Sequence, residues 1–284
     1  MILYVVLGIT ALTVTCQDIF KKKFNQKSNT GVFSFGGMIS FFAMLFFVAV
    51  NRDWSYSLSQ LFYSFGFAVA YATATLFAVL AIKYGSLAKT TLIVSCSLLI
   101  PSFYGMIFLG EPVGVNLVIG TVLLVIALIM INYEKESSPT SLRWAIFAIL
   151  AFLGNGMCSV VQRIAQNTFG GEGQNVFMIV ALAMVTVMLF GMSFASKEER
   201  GERRRVLRVG CLWAALCGAC NGLCNYLVLY LNPRLPASVM FPVISAGSVV
   251  LVFFYATAVQ HEKFNLRQKI GYAIGIVSIV LLNL

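Results

Sequence analysis

The chain has 284 residues, of which 60% are apolar and 11% are charged, and its mean hydropathy is +0.89. Soluble domains carry about 25% charged residues, and even at ~300 residues they bury only ~75% of their surface, so a soluble enzyme, a disordered protein and a disulfide scaffold are excluded. The formal net charge of +10 then indicates loops that lie against anionic lipid headgroups and not a nucleic-acid partner.

Apolar runs long enough to cross the ~30 Å of hydrocarbon in a bilayer follow one another along the whole chain. The first run is followed, and not preceded, by the basic residues Lys21 to Lys23, which favours a retained membrane helix over a secretory signal. We predict ten transmembrane helices, at 2–20, 31–50, 61–82, 87–108, 113–132, 143–163, 175–195, 207–230, 236–259 and 266–283.

The two halves of the chain resemble each other. Glu111 opens the fifth span and Glu262 opens the tenth, a glycine follows each of them after nine residues, and Ser97 lies opposite Ser248 at the same offset. Five spans in each half force the halves to insert in opposite orientations, as in many secondary transporters. We predict an all-α integral membrane fold of ten transmembrane helices in two inverted five-helix repeats around a central cavity, with the repeats at 1–132 and 143–284 and a linker at 133–142.

The end of the first half carries the resemblance to a known family. A polar, proline-containing fourth span, then Leu109-Gly110-Glu111-Pro112-Val113 and a glycine-bearing fifth span, are similar to the end of an EamA-type repeat. In length, span number and duplication the whole chain resembles the drug/metabolite transporter superfamily. That resemblance implies a multi-pass carrier of a bacterial inner or plasma membrane that moves small solutes by alternating access.

Basic residues are distributed very unequally between the predicted loops. The loops after the odd-numbered spans hold 17 of the 20 Lys and Arg residues, and the alternate loops hold Arg52, Arg163 and Arg234. The positive-inside rule places the first set in the cytoplasm and both termini outside. The superfamily resemblance implies both termini inside, and we follow the charge distribution.

Uncharged polar residues recur at helical spacing within the spans, as Thr10, Thr13 and Gln17 do in the first. Such stripes either line a solute path or form hydrogen bonds between helices. The cavity candidates are Thr13, Gln17, Tyr71, Thr75, Ser95, Ser97, Asn155, Ser159, Gln162, Asn221, Asn225, Ser245 and Ser248.

Prolines and charged residues in or beside the spans complete the candidates. Pro101 and Pro242 are expected to bend the fourth and ninth spans at a binding site or as simple kinks. Lys89 either snorkels to the cytoplasmic face or meets an anionic solute. Glu111 and Glu262 are assigned structural roles at the N-termini of the fifth and tenth helices.

The absence of acidic residues and histidine from the middle of the spans also bears on function. The middle of each predicted span lacks Asp, Glu and His, which favours a facilitator, an exchanger or coupling through an acid near the interface. Arg163 and Arg234 are interpreted as residues that screen entering anions. The run from Lys197 to Arg208 is interpreted as a cytoplasmic anchor.

Transport of a small-molecule solute is therefore the predicted function, in a bilayer with anionic headgroups, without nucleic acid, cofactor or metal, as a monomer or homodimer. The seven cysteines are expected to pack as small apolar residues, and the GxxxG pairs to allow close helix contact. The alternative is an intramembrane enzyme acting on a lipid or prenyl substrate. A single histidine and the lack of DxxD and HExxH motifs disfavour it.

Overall fold

The computed structural model describes residues 2–28, 31–84, 90, 93–94, 96–132, 141–197, 199–259 and 265–282. These residues form ten α-helices and one short 3₁₀ turn, Cys96–Leu98, which leads into the fourth helix. The helices are α1 (Ile2–Lys27), α2 (Val32–Val50), α3 (Leu58–Tyr84), α4 (Leu99–Phe108), α5 (Val115–Asn132), α6 (Leu142–Phe169), α7 (Gln174–Ala195), α8 (Arg203–Leu231), α9 (Ala237–Ala258) and α10 (Leu266–Leu282).

The order and number of helices confirm the ten predicted spans. Seven of the described helices have the length and apolar composition needed to cross a membrane, and shorter apolar helices cover Cys96–Phe108 and Val115–Ile131. Large apolar side chains such as Val187, Phe194 and Ile107 lie on the outer surface, each more than half exposed. A surface of this kind is matched to lipid.

Two predicted helix ends were placed too early. The prediction ended the first helix at residue 20, but α1 continues to Lys27, because lysines are good helix formers and favour the C-terminal end of a helix. The prediction ended the sixth helix at residue 163, but α6 continues through a buried Arg163 and ends at Gly170. Gly170 has φ +60°, a left-handed conformation that glycine adopts without strain.

Eight helices form a closed ring in which every neighbour comes from the other half of the chain. The order around the ring is α1, α8, α2, α7, α3, α6, α4 and α9, and α9 contacts α1 again. Helices α5 and α10 pack against each other beside α9, outside the ring. In this order α1 faces α3 and α6 faces α8, so contacts between these pairs cross the interior.

The two ends of the bundle differ in charge. Ser141 Oγ donates to the carbonyl of Tyr84, and Arg267 Nε donates to that of Met130, which brings the C-terminal ends of α3 and α5 to the same end as the starts of α6 and α10. We call this the basic end, since it also carries Lys21–Lys27 and the start of α8. The other end, with Asn232 and the connection between α6 and α7, is called the opposite end.

Close helix contacts occur at glycines, as the GxxxG pairs predict. A Cβ atom on Gly218 would lie 2.7 Å from the Ile39 carbonyl of α2, and one on Gly271 would lie 2.9 Å from Met130 Cβ of α5. Gly154 on α6 faces the α3 backbone at a similar distance. Glycine allows these backbones to approach where a larger residue would separate them.

Candidate functional site

The polar stripes of α1 and α8 meet inside the ring. Asn221 Nδ2 donates to Gln17 Oε1 at 3.0 Å, and Asn225 Nδ2 donates to the Asn221 carbonyl at 2.9 Å and to Asn221 Oδ1 at 3.2 Å. Gln17 is buried, and the two asparagines are half-buried. The three amides therefore form one connected group, as the predicted stripes require, with unused hydrogen-bonding capacity on the asparagines.

Thr13 and two cysteines extend this amide group. Thr13 is buried and donates to the Thr10 carbonyl at 2.7 Å. The Cys217 thiol lies 3.8 Å from the Gln17 carbonyl, and the Cys224 thiol lies beside Thr13 and Gln17. The cysteines thus pack where α1 and α8 meet, and Cys224 borders the polar group.

Two charged residues beside the amide group were missed by the sequence analysis. Lys21 Nζ lies 3.6 Å from Asp18 Oδ1, and the two side chains are 47% and 55% exposed. Even so, the ammonium is near enough to Tyr71 on α3 and Cys217 on α8 to interact with both electrostatically. Because α1 and α3 face each other across the ring, this directs the ammonium toward the interior.

A signal for Lys21 was present in the sequence. The stripe of Thr10, Thr13 and Gln17 continues at Lys21, four residues after Gln17 and on the same helical face. The residue was instead assigned to the loop because it opens a run of three lysines. Only the continuation of α1 to Lys27 shows that it belongs to the stripe.

The α3 wall contains the predicted pair Tyr71 and Thr75. Both are half-buried, and Thr75 Oγ1 donates to the Tyr71 carbonyl at 3.0 Å. The Tyr71 side chain lies beside Ser40 of α2 and near Lys21 of α1. Tyr71 therefore faces the Lys21 ammonium from the α3 side of the interior, whereas the Thr75 hydroxyl is satisfied by its own helix.

The candidates on α4 and α6 form a separate contact. Asn155 Nδ2 donates to Ser97 Oγ at 2.5 Å, which joins α6 to the 3₁₀ turn, and Ser159 is half-buried one turn further along α6. Gln162 is buried, and its Nε2 lies 3.8 Å from Met178 Sδ of α7, in the apolar core. Gln162 is thus separate from the amide group that contains Gln17.

On α9, the Ser248 side chain bonds within its own helix, and the Ser248 backbone contacts α1. Ser248 Oγ donates to the Ser245 carbonyl at 2.8 Å, and Thr15 of α1 donates to the Ser248 carbonyl at 3.3 Å. Pro242 lies within α9. Pro101 lies in the first turn of α4, directly after the 3₁₀ turn. The N–H groups of a first turn have no acceptor within their own helix, so a proline there costs no helical hydrogen bond.

Three candidates lie outside the described residues. They are Lys89, Ser95 and Glu262.

The opposite end of the ring is closed by a buried ion pair. Arg163 Nη2 lies 3.3 Å from Glu111 Oε1, with both side chains 9% exposed. Arg163 Nη1 also donates to the carbonyl of Asn232 and, at 3.2 Å, to Asn232 Oδ1. We call Arg163, Glu111 and Asn232 the outer bridge. It spans the interior, because α6 and α8 face each other in the ring.

The outer bridge corrects two predictions. Arg163 is not a loop residue that screens anions, because it is buried within α6 by its carboxylate and amide partners. Glu111 has a structural role at a different helix from the one predicted: its Oε1 and Oε2 accept from the backbone N–H groups of Ala237 and Ser238, each at 2.8 Å. It therefore caps α9, in the other half of the chain, and not the fifth helix.

A cleft of about 480 Å³ opens above the outer bridge. It is lined by polar and aromatic residues at the ends of α6 and α8, among them Gln166, Tyr226 and Arg234. Gln166 Nε2 donates to the Leu229 carbonyl at 2.6 Å, a second contact between α6 and α8. None of the predicted cavity candidates lines this cleft.

The fold and the site define the class of the protein: a multi-pass membrane protein with polar residues in contact between two interleaved halves. The family model of the EamA-like transporter family matches residues 1–133 and again 142–284. The chain belongs to the EamA-like transporter family, whose members are membrane transporters of small solutes.

Comparisons at the level of individual proteins add the fold alone. A protein of known crystal structure aligns with 98% of this chain and 97% of its own at a TM-score of 0.75, with 13% sequence identity. No curated protein matches the sequence.

Proposed function

We propose that this protein is a secondary transporter that carries a small polar metabolite by alternating access through the ring interior. The observation that carries the proposal is the amide group of Gln17, Asn221 and Asn225, with Lys21 one turn along α1 and near Tyr71 of α3. Polar and charged groups are expensive within a membrane and mark solute pathways. Interleaved inverted halves supply two related arrangements of one chain, which alternating access requires.

The ring is closed at the opposite end and more exposed at the basic end, which supports a transport state that is open toward the basic end. The outer bridge joins α6 to α8 across the interior at the opposite end, whereas Lys21 and Asp18 remain exposed on the other side. The positive-inside rule assigns the basic end to the cytoplasm, and we therefore propose an inward-facing arrangement. Opening to the other side then requires the outer bridge to separate.

The charged residues also bear on energy coupling. Asp18 lies well inside α1, since the helix continues for nine residues beyond it. A carboxylate reached by water from the basic end can bind and release protons or cations. We therefore include ion coupling through Asp18 among the modes of transport, beside exchange and facilitated diffusion.

The experiment that tests the function begins with a thermal-stability screen of the purified protein against pools of metabolites. A solute at 100 times its dissociation constant adds about 2.7 kcal/mol to the free energy of unfolding. We expect Gln17→Ala and Asn221→Ala to abolish the stabilisation, because both remove amides of the interior. Thr257→Ala serves as the control, since its exposed hydroxyl bonds to its own helix.

Reconstituted liposomes then separate transport from binding. We expect the stabilising solute to exchange across the membrane with the wild-type protein and not with Gln17→Ala. A solute that stabilises the protein but never crosses the liposome membrane would contradict a carrier.

A further inference from the structure

We infer that Lys21 binds the carboxylate of a singly charged anionic solute, and that Asp18 is the counter-ion which this carboxylate displaces. The inference rests on the proposed transport function and names the chemical class of its solute. In this arrangement Lys21 binds the anionic group of the solute. The neighbouring amides contact the uncharged part of the solute.

Lys21 differs from Lys23 and Lys27 in where its ammonium lies. Lys23 and Lys27 lie over the ring of Trp213, 5.4 and 5.2 Å from its centroid. Lys21 is directed inward, where it interacts with Asp18, Tyr71 and Cys217. Residues two positions apart on a helix point in nearly opposite directions, so Lys21 is directed inward while Lys23 and Lys27 lie at the helix surface.

The position along α1 suits a binding site. Lys21 lies six residues before the end of the helix, which is about 9 Å from the basic end at 1.5 Å per residue. Gln17 is one turn deeper and carries the hydrogen bond to Asn221. A solute that enters from the basic end thus reaches the ammonium first and the amides next.

The charge balance selects a single carboxylate. Asp18 neutralises Lys21, and the described residues around them, Gln17, Asn221 and Tyr71, carry no formal charge at neutral pH. A carboxylate that replaces Asp18 on Lys21 repeats the pairing already present. A phosphate ester near pH 7 has a second charge, and the interior described here offers it no second cation, which leaves a costly unpaired charge.

Charged thiol reagents test this electrostatic arrangement without knowledge of the solute. The Cys224 thiol interacts electrostatically with Lys21, so a purified variant that keeps Cys224 as its single cysteine reports the local field. The quantity measured is the labelling rate of a negatively charged methanethiosulfonate divided by that of a positively charged one. We expect Lys21→Gln to lower this ratio by about tenfold. Lys21→Arg should keep the ratio, and Lys23→Gln, the matched control, should leave it unchanged.

Thermal-stability measurements with paired probes give a second readout. Each pair consists of a carboxylate and its neutral amide, such as benzoate with benzamide or lactate with lactamide. We expect at least one acid to stabilise the wild-type protein more than its amide does, and we expect Lys21→Gln to lose this difference. In Asp18→Asn the apparent Kd of that acid should be several-fold lower, because the variant removes the competing counter-ion. Lys21→Arg verifies that a folded protein is measured.

The outcomes separate this inference from the proposed function. An unchanged labelling ratio in Lys21→Gln, a Cys224 that no reagent reaches, or loss of acid binding in Asp18→Asn would each overturn the inference. If a neutral solute is transported by wild-type and Lys21→Gln proteins alike, the carrier function stands and the anion site fails. If the labelling ratio depends on Lys21 but no solute is transported, the anion site stands and the carrier function fails.

Discussion

Two buried carboxylates show how single residues hold the halves of this protein together. Glu199 lies between α7 and α8 and accepts from the backbone N–H groups of Phe33 and Ser34, at 2.8 and 3.1 Å, and from Ser34 Oγ at 2.6 Å. It caps α2 at the basic end as Glu111 caps α9 at the opposite end. In both cases an acid from one half satisfies the free N–H groups at the start of a helix from the other half.

The Glu199 contact leads to a stability prediction. Glu199→Gln removes the charge and replaces one acceptor oxygen with an NH₂ group that faces donors. We expect the free energy of unfolding to fall by about 1–3 kcal/mol, the cost of unpaired buried donors, measured as a lower melting temperature in detergent.

The matched control for Glu199→Gln is Glu202→Gln, three residues away. Glu202 forms an exposed pair with Arg205 at 3.3 Å, and such surface pairs contribute about 0–1 kcal/mol. Equal melting temperatures for the two variants would contradict the capping role of Glu199.

Residue-level detail was the hardest part to predict from sequence. Glu199 lies within a basic run that was interpreted as a lipid anchor, and its burial depends on the start of α2, more than 160 residues away. Arg163 and Glu111 were each recognised, but their pairing requires the positions of α6, α8 and α9 together. By contrast, Gln17, Asn221 and Asn225 were found, because amides at helical spacing within an apolar run stand out without any knowledge of partners.

At the level of whole helices, packing in this bundle depends on small residues at crossing points. A Cβ atom on Gly154 of α6 would lie 2.8 Å from the Ala74 nitrogen and 2.9 Å from the Ala70 carbonyl oxygen of α3. Both neighbours are backbone atoms, which cannot rotate away as a side chain can. The helix pair therefore has to separate if any side chain is added there.

We accordingly expect Gly154→Ala to destabilise the protein, although alanine is the better helix former by about 1 kcal/mol. Gly191→Ala on α7 is the comparison, since a Cβ atom there meets nothing within 4 Å. That variant should be neutral or more stable. Thermal unfolding of both proteins decides the matter, and a Gly154→Ala variant as stable as Gly191→Ala would show that α3 and α6 tolerate separation.

Helices were predictable in number and order and less so at their ends. A run of about 20 apolar residues needs no tertiary information, so all ten spans appeared in the sequence. The ends of α1 and α6 depend on how charged residues are accommodated: Lys23 and Lys27 rest on Trp213, and Arg163 is paired inside the bundle. A hydropathy profile counts these residues only as charges, so the helix ends predicted from it come too early.

On the scale of the whole molecule, the two halves place different charges at related positions. Asp18 lies on α1, the first helix of the first half, and Arg163 lies on α6, the first helix of the second half. Asp18 pairs with its neighbour Lys21 and stays exposed, whereas Arg163 reaches across the ring and is buried. A symmetric architecture thus has one closed end and one open end, which an alternating-access carrier must exchange.

The outer bridge is therefore expected to set the balance between the two states. Removing one partner of a buried ion pair costs about 3–5 kcal/mol, and every 1.4 kcal/mol changes a population ratio tenfold. Glu111→Gln removes the charge that pairs with Arg163 at the closed opposite end, so it should shift the population toward the state that is open there.

Labelling of the single-cysteine Cys224 variant by a membrane-impermeant thiol reagent measures this shift. In right-side-out vesicles we expect Glu111→Gln to raise the labelling rate at least several-fold, because opening exposes the α8 interior to the outside. Arg234→Gln is the control, since Arg234 lies at the same end, outside the outer bridge, stacked on Tyr230 at 3.8 Å. In inverted vesicles the same Glu111→Gln protein should label more slowly, as two exchanging states require. Faster labelling from both sides would instead mean that the bundle has merely loosened, and unchanged labelling from both would mean that the outer bridge does not hold the closed state.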